Sequence, residues 1–185
     1  MIRTDLAAEL YVAGMAVRVP HFKALERLGV LHETLCDRWR HDFGFGVGLC
    51  ADAGDGLYHP GQGDPHVIVP VFENGDLIDL CAFRSGTPNE WLLRTGMGWA
   101  LGVERGFERH TWHDATDLAT SPLEWLRHGA HGLCILDWDA PEVFDLAGIR
   151  HLVCSSEELA ARLRTSLARP VRFPTISVGE MALAA

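Results

Sequence analysis

The pattern of apolar and polar residues is most regular from Val67 to Arg94, where two β-rich runs flank the dipeptide Asn74-Gly75. Both residues of this dipeptide accept the positive φ angles that a type I′ turn requires, so the stretch predicts a β-hairpin. Trp91 to Arg94 follows a run of turn-forming residues and predicts a third strand beside the second. The centre of the fold is therefore predicted to be a three-stranded meander over residues 67–94.

The hairpin also predicts which side chains share a face of the sheet. With Glu73 opposite Asp76, regular alternation fixes the facing residues along both strands. The predicted pairs are Phe72–Leu77, Val71–Ile78, Pro70–Asp79, Val69–Leu80, Ile68–Cys81 and Val67–Ala82. One face then carries only apolar residues, and we expect it to lie on the core. These residues are Val67, Val69, Val71, Ile78, Leu80 and Ala82.

Helical periodicity begins near the N-terminus. Thr4 to Val17 predicts a helix with Thr4 as its N-cap and with Val12 on its apolar side. Pro20 breaks this pattern, and a second helix is predicted from His21. Gly29 separates this helix from a further helical pattern over residues 32–40. These two short helices also fit a helix-turn-helix, but neither is notably basic, which favours helices packed on a sheet.

The second half of the chain predicts shorter elements. Ser121 and Pro122 stand in the favoured order for the N-cap and first residue of a short helix. Ser155 and Glu158 form a capping box that opens a C-terminal helix. Strands are predicted over residues 43–50, 132–136, 143–146 and 151–154, and an irregular loop over residues 51–63. The predicted class is α+β, a mostly antiparallel sheet built on the meander with an N-terminal helical segment and a C-terminal helix.

Length and composition bound the organisation of the chain. Its 185 residues and 48% hydrophobic content suit one domain, in which residues 1–42 could form a helical extension. No apolar run approaches the roughly 20 residues of a membrane span, and the first residues lack the order of a secretory signal. A cytoplasmic protein without membrane association is expected. Five widely spaced cysteines without a C-x-x-C motif predict buried, reduced thiols.

Charge limits the kinds of partner. The chain has 25 acidic and 16 basic residues, a net charge of −9. No segment forms the basic stripe of a protein that holds a phosphate backbone electrostatically. Nonspecific binding of nucleic acid is therefore disfavoured.

Three groups of potential metal ligands occur in the sequence, one of which is the His-x-x-His pair His128 and His131. His110 and His113 form a His-x-x-His pair with Asp114 as a third candidate ligand, although the pair lacks the H-E-x-x-H signature. Asp137 and Asp139 follow a predicted strand, and two carboxylates at the end of a strand could share a divalent cation such as Mg²⁺.

The order strand, E-N-G-D turn, strand, then W-L-L-R-T-G and A-L-G resembles the segment just before the catalytic Toprim part of primase-related proteins from phages and plasmids. In that family, a Glu near a glycine and a later D-x-D hold the metal. The resemblance implies that Glu104, Asp137 and Asp139 take these roles here. The bulky Trp138 between the aspartates and the short spacing from Glu104 depart from the family pattern. The resemblance implies a prophage or plasmid setting more readily than it implies catalysis.

Two function hypotheses follow. The first is a noncatalytic or degenerate replication-associated module of a prophage or plasmid type, which binds a protein partner or single-stranded nucleic acid. Trp91, Arg94 and Trp99 are its expected partner contacts, because Trp and Arg are enriched among residues that dominate interfaces.

The second hypothesis is a metal-dependent enzyme of Toprim-like type that catalyses phosphotransfer or hydrolysis. Glu104, Asp137 and Asp139 would be its catalytic residues, with Mg²⁺ bound by the two aspartates. This hypothesis requires Glu104 to lie within a few ångströms of both aspartates.

Overall fold

The computed structural model describes residues 5–35, 44–103 and 115–168. Five strands in this part of the chain are β1 (Gly46–Gly54), β2 (Leu57–Pro60), β3 (Asp64–Glu73), β4 (Asp76–Arg84) and β5 (Thr87–Leu93). They close into a small barrel in the order β1-β2-β5-β4-β3. Neighbouring strands are antiparallel, except that β2 and β5 are parallel where Leu57 pairs with Leu93.

The predicted meander is confirmed as β3, β4 and β5, but it forms part of a closed five-stranded barrel and not a plain meander sheet. β1 pairs along β3 from Gly46–Ile68 to Cys50–Asp64, and the short β2 connects β1 to β5. Residues 51–63, predicted as an irregular loop, supply the end of β1 and all of β2.

A β-bulge changes the register of the central hairpin. Phe72 pairs with Leu77 as predicted, but Val71 pairs with Asp79 instead of Ile78. A shift of one residue turns every later side chain of one strand to the other face of the sheet. The predicted composition of the two faces is therefore wrong beyond the bulge.

A second sheet has four strands. They are β6 (Ala100–Leu101), β7 (Thr116–Ala119), β8 (Leu133–Ile135) and β9 (Leu152–Cys154), in the order β6-β8-β7-β9. β6 is antiparallel to β8, whereas β7 lies parallel to both β8 and β9. The prediction of a mostly antiparallel sheet built on the meander holds for the barrel, whereas the centre of this second sheet is parallel.

Helices flank both sheets, which confirms the α+β class. They are α1 (Leu6–Met15), α2 (Val19–Arg27), α3 (Pro122–Arg127) and α4 (Glu157–Leu167), together with a 3-10 helix over Pro141–Gly148. The 3-10 helix replaces the strand predicted over residues 143–146. None of the helices in the described ranges has the length and apolar character needed to cross a membrane.

The structure corrects three predicted helix starts. Asp5 caps α1 by accepting from the Ala8 N–H at 3.0 Å, while the predicted cap, Thr4, lies outside the described residues. Pro20 lies in the first turn of α2, where its missing N–H is tolerated, rather than before the helix.

The third correction concerns the C-terminal helix. Ser156, not Ser155, is the N-cap of α4, because its Oγ accepts from the Leu159 N–H at 3.1 Å. Ser121 caps α3 with Pro122 in the first turn, as predicted.

Alternate side chains of the barrel strands enter two different cores. One, which we call the α1 core, contains Ala13 of α1 with Cys50, Tyr58, Ile68, Leu80 and Ala82 of the barrel. The other, which we call the main core, contains Val69, Val71, Cys81, Phe83 and Leu93 of the barrel together with side chains from α2, α3 and the second sheet. The barrel and the second sheet therefore share the main core.

Candidate functional site

The two aspartates predicted to bind a metal lie directly after β8. The Asp139 N–H donates to Asp137 Oδ1 at 2.9 Å, which is a local turn contact. The other predicted ligands, Glu104, His110, His113 and Asp114, lie outside the described residues. Within the described ranges, no group of three His, Cys, Asp or Glu side chains is placed to hold a metal ion. The catalytic and metal-binding roles of these residues stay predictions.

Trp138, between the two aspartates, has a packing role. The Arg162 guanidinium lies 4.3 Å from the centroid of its ring, a cation–π geometry. Trp138 also packs against the core of the second sheet. The D-x-D turn is thereby held against α4.

The three residues predicted to contact a partner occupy different environments. Trp99 is 4% exposed in the core of the second sheet. Trp91 is partly buried against the main core, and its Nε1–H donates to the Leu136 carbonyl at 3.1 Å. Arg94 forms an ion pair with α1. Their role in partner binding stays a prediction, although Trp99 could meet a partner only after its core opens.

Asp79, at the bulge of β4, is a fully buried carboxylate that organises the chain after β5. Its Oδ1 accepts from the N–H groups of Leu80, Arg94 and Thr95 at 2.8, 2.9 and 2.9 Å, and its Oδ2 accepts from those of Met97 and Gly98 at 2.8 and 2.9 Å. Five donors satisfy a group that is costly to bury unpaired. The backbone of residues 94–98 is thereby fixed, and Arg94 with it.

Arg94 provides the polar contact between the barrel and α1. Its Nε–H donates to Glu9 Oε2 at 2.8 Å, and the Tyr58 hydroxyl donates to Glu9 Oε1 at 2.9 Å. The Arg94 guanidinium also lies 5.9 Å from the centroid of the Tyr58 ring. The Arg94 and Glu9 side chains are only 20% and 16% exposed, so water screens their ion pair weakly. These contacts fix which side of α1 faces the barrel.

Burial and the Glu9 carboxylate change the acidity of two neighbouring groups. Desolvation, followed by the charge of Glu9, raises the pKa of Cys50 to about 12, against the opposing charge of Arg94. Desolvation and Glu9 also raise the pKa of Tyr58 well above its usual value. Both groups are therefore protonated at neutral pH, which makes Tyr58 a hydrogen-bond donor and Cys50 a neutral thiol.

These environments predict the order in which the thiols react. Cys50, Cys81 and Cys134 are buried and free, as expected from the sequence, whereas Cys154 is partly exposed. Because only a thiolate reacts readily, we expect iodoacetamide at pH 8 to label Cys50 at least about 10-fold more slowly than Cys154. Peptide mass spectrometry over a time course measures both rates. Equal rates in the folded protein would contradict the burial of Cys50 beneath α1.

α1 packs on the barrel through one stripe of its surface. Leu6, Leu10 and Ala13 contribute to the α1 core. Gly46 of β1 permits the close approach, because a Cβ at this position would overlap the side chain of Ala13. A glycine within a strand often marks such a close approach of another part of the chain.

The opposite stripe of α1 is also apolar, but it is exposed. Ala8, Tyr11, Val12 and Met15 recur at i, i+3, i+4 and i+7, and we call them the outer stripe. Tyr11, Val12 and Met15 are 69%, 67% and 59% exposed. The prediction that Val12 lies on the packed side is therefore wrong. The single charged residue within α1, Glu9, points to the barrel, so the outer stripe carries no charge.

A second polar cluster lies where the parallel strands β7 and β9 end. Glu124 Oε2 accepts from the Thr120 N–H and Oγ1–H at 2.6 and 2.5 Å and from the Ser155 Oγ–H at 2.9 Å. Desolvation acts to raise the pKa of Glu124, but the hydrogen bonds from Thr120 and Ser155 outweigh it and hold the pKa below its usual value. The carboxylate thus joins the ends of two neighbouring strands.

Comparison with known proteins found no match to the chain. No protein-family model, no characterised protein and no solved structure matched the chain. Function is therefore inferred from the described residues, among which the outer stripe of α1 is the largest exposed apolar feature on one element.

Proposed function

We propose that the chain is a noncatalytic module that binds a protein partner through the outer stripe of α1. The observation that carries this proposal is the exposure of Tyr11, Val12 and Met15 on a helix whose other stripe is already packed on the barrel. A helix that is apolar on all sides is ordinarily buried. Docking of a partner completes this burial.

The free energy gained by burying the outer stripe is of the size expected for an interaction site. Full burial of an apolar side chain is favourable by about 1.5–3 kcal/mol. Three side chains that are about two-thirds exposed therefore offer about 3–6 kcal/mol before the entropy of association is subtracted. Exposed apolar residues of this kind, grouped on one surface, are typical of protein interaction sites.

The chemistry of the outer stripe favours a protein over a phosphate-bearing partner. The stripe has no charged residue, and the chain has a net charge of −9. Nucleic acids and anionic membranes are held mainly by Lys and Arg. An apolar, uncharged strip on another protein surface is the complementary chemistry.

The resemblance to the segment before the Toprim part of primase-related proteins adds a setting to this proposal. In that setting the chain is a replication-associated module of a prophage or plasmid type that acts in the cytoplasm. Arg94 then positions the docking helix through Glu9 and does not itself contact the partner.

Capture from a lysate of the native host tests the proposal. We expect the immobilised chain to retain a protein that Tyr11→Glu does not retain, because the new carboxylate would be buried unpaired in the interface. The captured protein is then purified, and its affinity measured by calorimetry is expected to fall at least about 10-fold with Tyr11→Glu.

Leu31→Glu is the matched control for this experiment. Leu31 is 55% exposed and lies outside α1, so the same charge there should leave capture unchanged. Equal capture by wild type and Tyr11→Glu would count against the outer stripe. Direct binding of single-stranded oligonucleotides with no Tyr11-dependent protein would favour nucleic acid as the partner.

A metal-dependent enzyme is the second candidate, because Asp137 and Asp139 follow the carboxyl end of β8 beside the parallel strand β7. Ligands of α/β sheets commonly bind at this edge, and two carboxylates suit Mg²⁺. Titration with Mg²⁺ by calorimetry separates the two functions. A noncatalytic module gives no heat that depends on Asp137. An enzyme gives heat that Asp137→Asn abolishes while the melting temperature stays nearly unchanged.

A further inference from the structure

We infer that a second copy of this chain docks on the outer stripe, with the two α1 helices antiparallel about a twofold axis that passes between Tyr11 and Val12. The inference rests on the proposed function and names the partner. Its support comes from the size and charge of the residues that this axis brings together.

Side-chain sizes match across the axis. In a twofold pair, each residue faces the one that lies equally far on the other side of the axis. Tyr11 then faces Val12 of the second copy, and Ala8 faces Met15. Each large side chain of the outer stripe meets a smaller one, which lets two identical helices interdigitate without a void.

Charges match across the same axis. Two copies with a net charge of −9 repel each other, so they can approach closely only where the surface carries no charge. Ala7 faces Ala16 beside the stripe, and both residues are exposed and uncharged. At each end of the helix pair, the axis brings Asp5 of one copy toward the C-terminal end of α1 in the other, where the Arg18 guanidinium donates to the Met15 and Val17 carbonyls. The nearest charges beyond the stripe are therefore opposite in sign.

The length of α1 sets the strength of the interaction. Ten helical residues span about 15 Å. A helix of this length buries less surface than the roughly 800 Å² per partner that a stable complex buries. We therefore expect a weak dimer with a Kd of about 10–100 µM, corresponding to about −5.5 to −7 kcal/mol.

Sedimentation equilibrium of the full chain from about 5 to about 500 µM tests this dimer. We expect the wild-type mass to rise from 20.4 kDa toward twice that value. Met15→Glu and Ala8→Lys should each weaken association at least about 10-fold, because a charge would be buried against an apolar residue. Leu31→Glu, which places a charge on an exposed residue outside α1, should leave the Kd within about 2-fold of wild type.

An equimolar mixture of Met15→Glu and Ala8→Lys tests the antiparallel register. In a mixed dimer, the axis places the new Glu of one copy opposite the new Lys of the other, while the second contact keeps Ala8 facing Met15. Association of the mixture to within about 3-fold of the wild-type Kd supports the register and shows that both variants are folded. A mixture that stays monomeric overturns the register.

Two other outcomes overturn the dimer. One is a wild-type mass of a single chain at about 500 µM, and the other is unchanged association of Met15→Glu. Failure of the dimer is distinguishable from failure of the proposed function. A monomeric chain that still captures a protein in a Tyr11-dependent manner keeps the outer stripe as a docking surface for a different protein.

Discussion

Asp79→Asn is expected to lower the free energy of unfolding by about 3–5 kcal/mol. The carboxylate accepts five backbone hydrogen bonds, two of them at Oδ2 from Met97 and Gly98. An Asn side chain would turn its NH₂ group toward these two donors, and each buried donor without an acceptor costs about 1–3 kcal/mol. Flipping the amide gives no relief, because three donors would then face the NH₂ group. This loss is a large fraction of the stability of a typical domain, which is about 5–15 kcal/mol.

Urea unfolding followed by tryptophan fluorescence measures this loss. Asp76→Asn is the matched control, since Asp76 is an exposed residue of the same strand and its change should stay within about 0.5 kcal/mol. A loss below about 1 kcal/mol at Asp79, or equal losses at both positions, would contradict the role assigned to the buried carboxylate.

Gly46→Ala is expected to displace α1 and to raise the rate of Cys50 alkylation at least about 10-fold. The new Cβ would overlap the Ala13 side chain and lie 3.0 and 3.2 Å from its backbone C and Cα atoms. Backbone contacts of this kind are not relieved by a change of rotamer, and overpacking typically costs about 1–3 kcal/mol. Cys81, in the main core, should stay protected and serves as the internal reference.

Gly48→Ala is the control for this experiment. A Cβ at Gly48 would lie 2.9 Å from Ile68 Cδ1, the end of a flexible side chain that can move away. Cys50 should therefore react at nearly the wild-type rate in this variant. Wild-type labelling of Cys50 in Gly46→Ala would show that α1 does not depend on the close contact with β1.

The hairpin was predictable because its determinants are local. Asn74 has a φ of 52° and Gly75 a φ of 84°, so the dipeptide does adopt the positive angles that the sequence indicates. The turn fixes the pairing of the residues next to it, and the predicted pair Phe72–Leu77 is confirmed. The bulge was not predictable from alternation, because the extra residue brings the Asp79 carboxylate to backbone donors 15 to 19 residues away.

Closure of the barrel depends on contacts that no sequence window contains. The parallel pairing of Leu57 with Leu93 joins a strand of four residues to the end of the meander. Residues 51–63 are rich in glycine and aspartate and therefore resemble a loop. Residues 51–60 instead pair with one another as a hairpin of β1 and β2, and β5 adds the pairing with Leu57, which overrides the local preference for a loop.

The candidate site was only partly visible in the sequence. The helix LAAELYVAGM carries one charged residue, and such an apolar composition indicates a helix that seeks burial on more than one side. The sequence does not show that α1 packs on the barrel, because the contacting residues Glu9 and Arg94 lie 85 residues apart. Residue type alone predicts Trp91 and Trp99 as partner contacts, but the burial of Trp99 depends on the packing of the second sheet, which composition does not determine.

The separation between Glu9 and Arg94 matters during synthesis on the ribosome. Chains grow at about 5–20 residues per second, so roughly 4–17 s pass between the synthesis of α1 and that of the residues that hold it. During this interval the stripe of Leu6, Leu10 and Ala13 lacks its partner on the barrel, so both apolar stripes of the nascent helix are exposed. The N-terminal segment of each growing chain is therefore expected to be a binding site for ribosome-associated chaperones, and on polysomes neighbouring nascent chains would meet through the same surface.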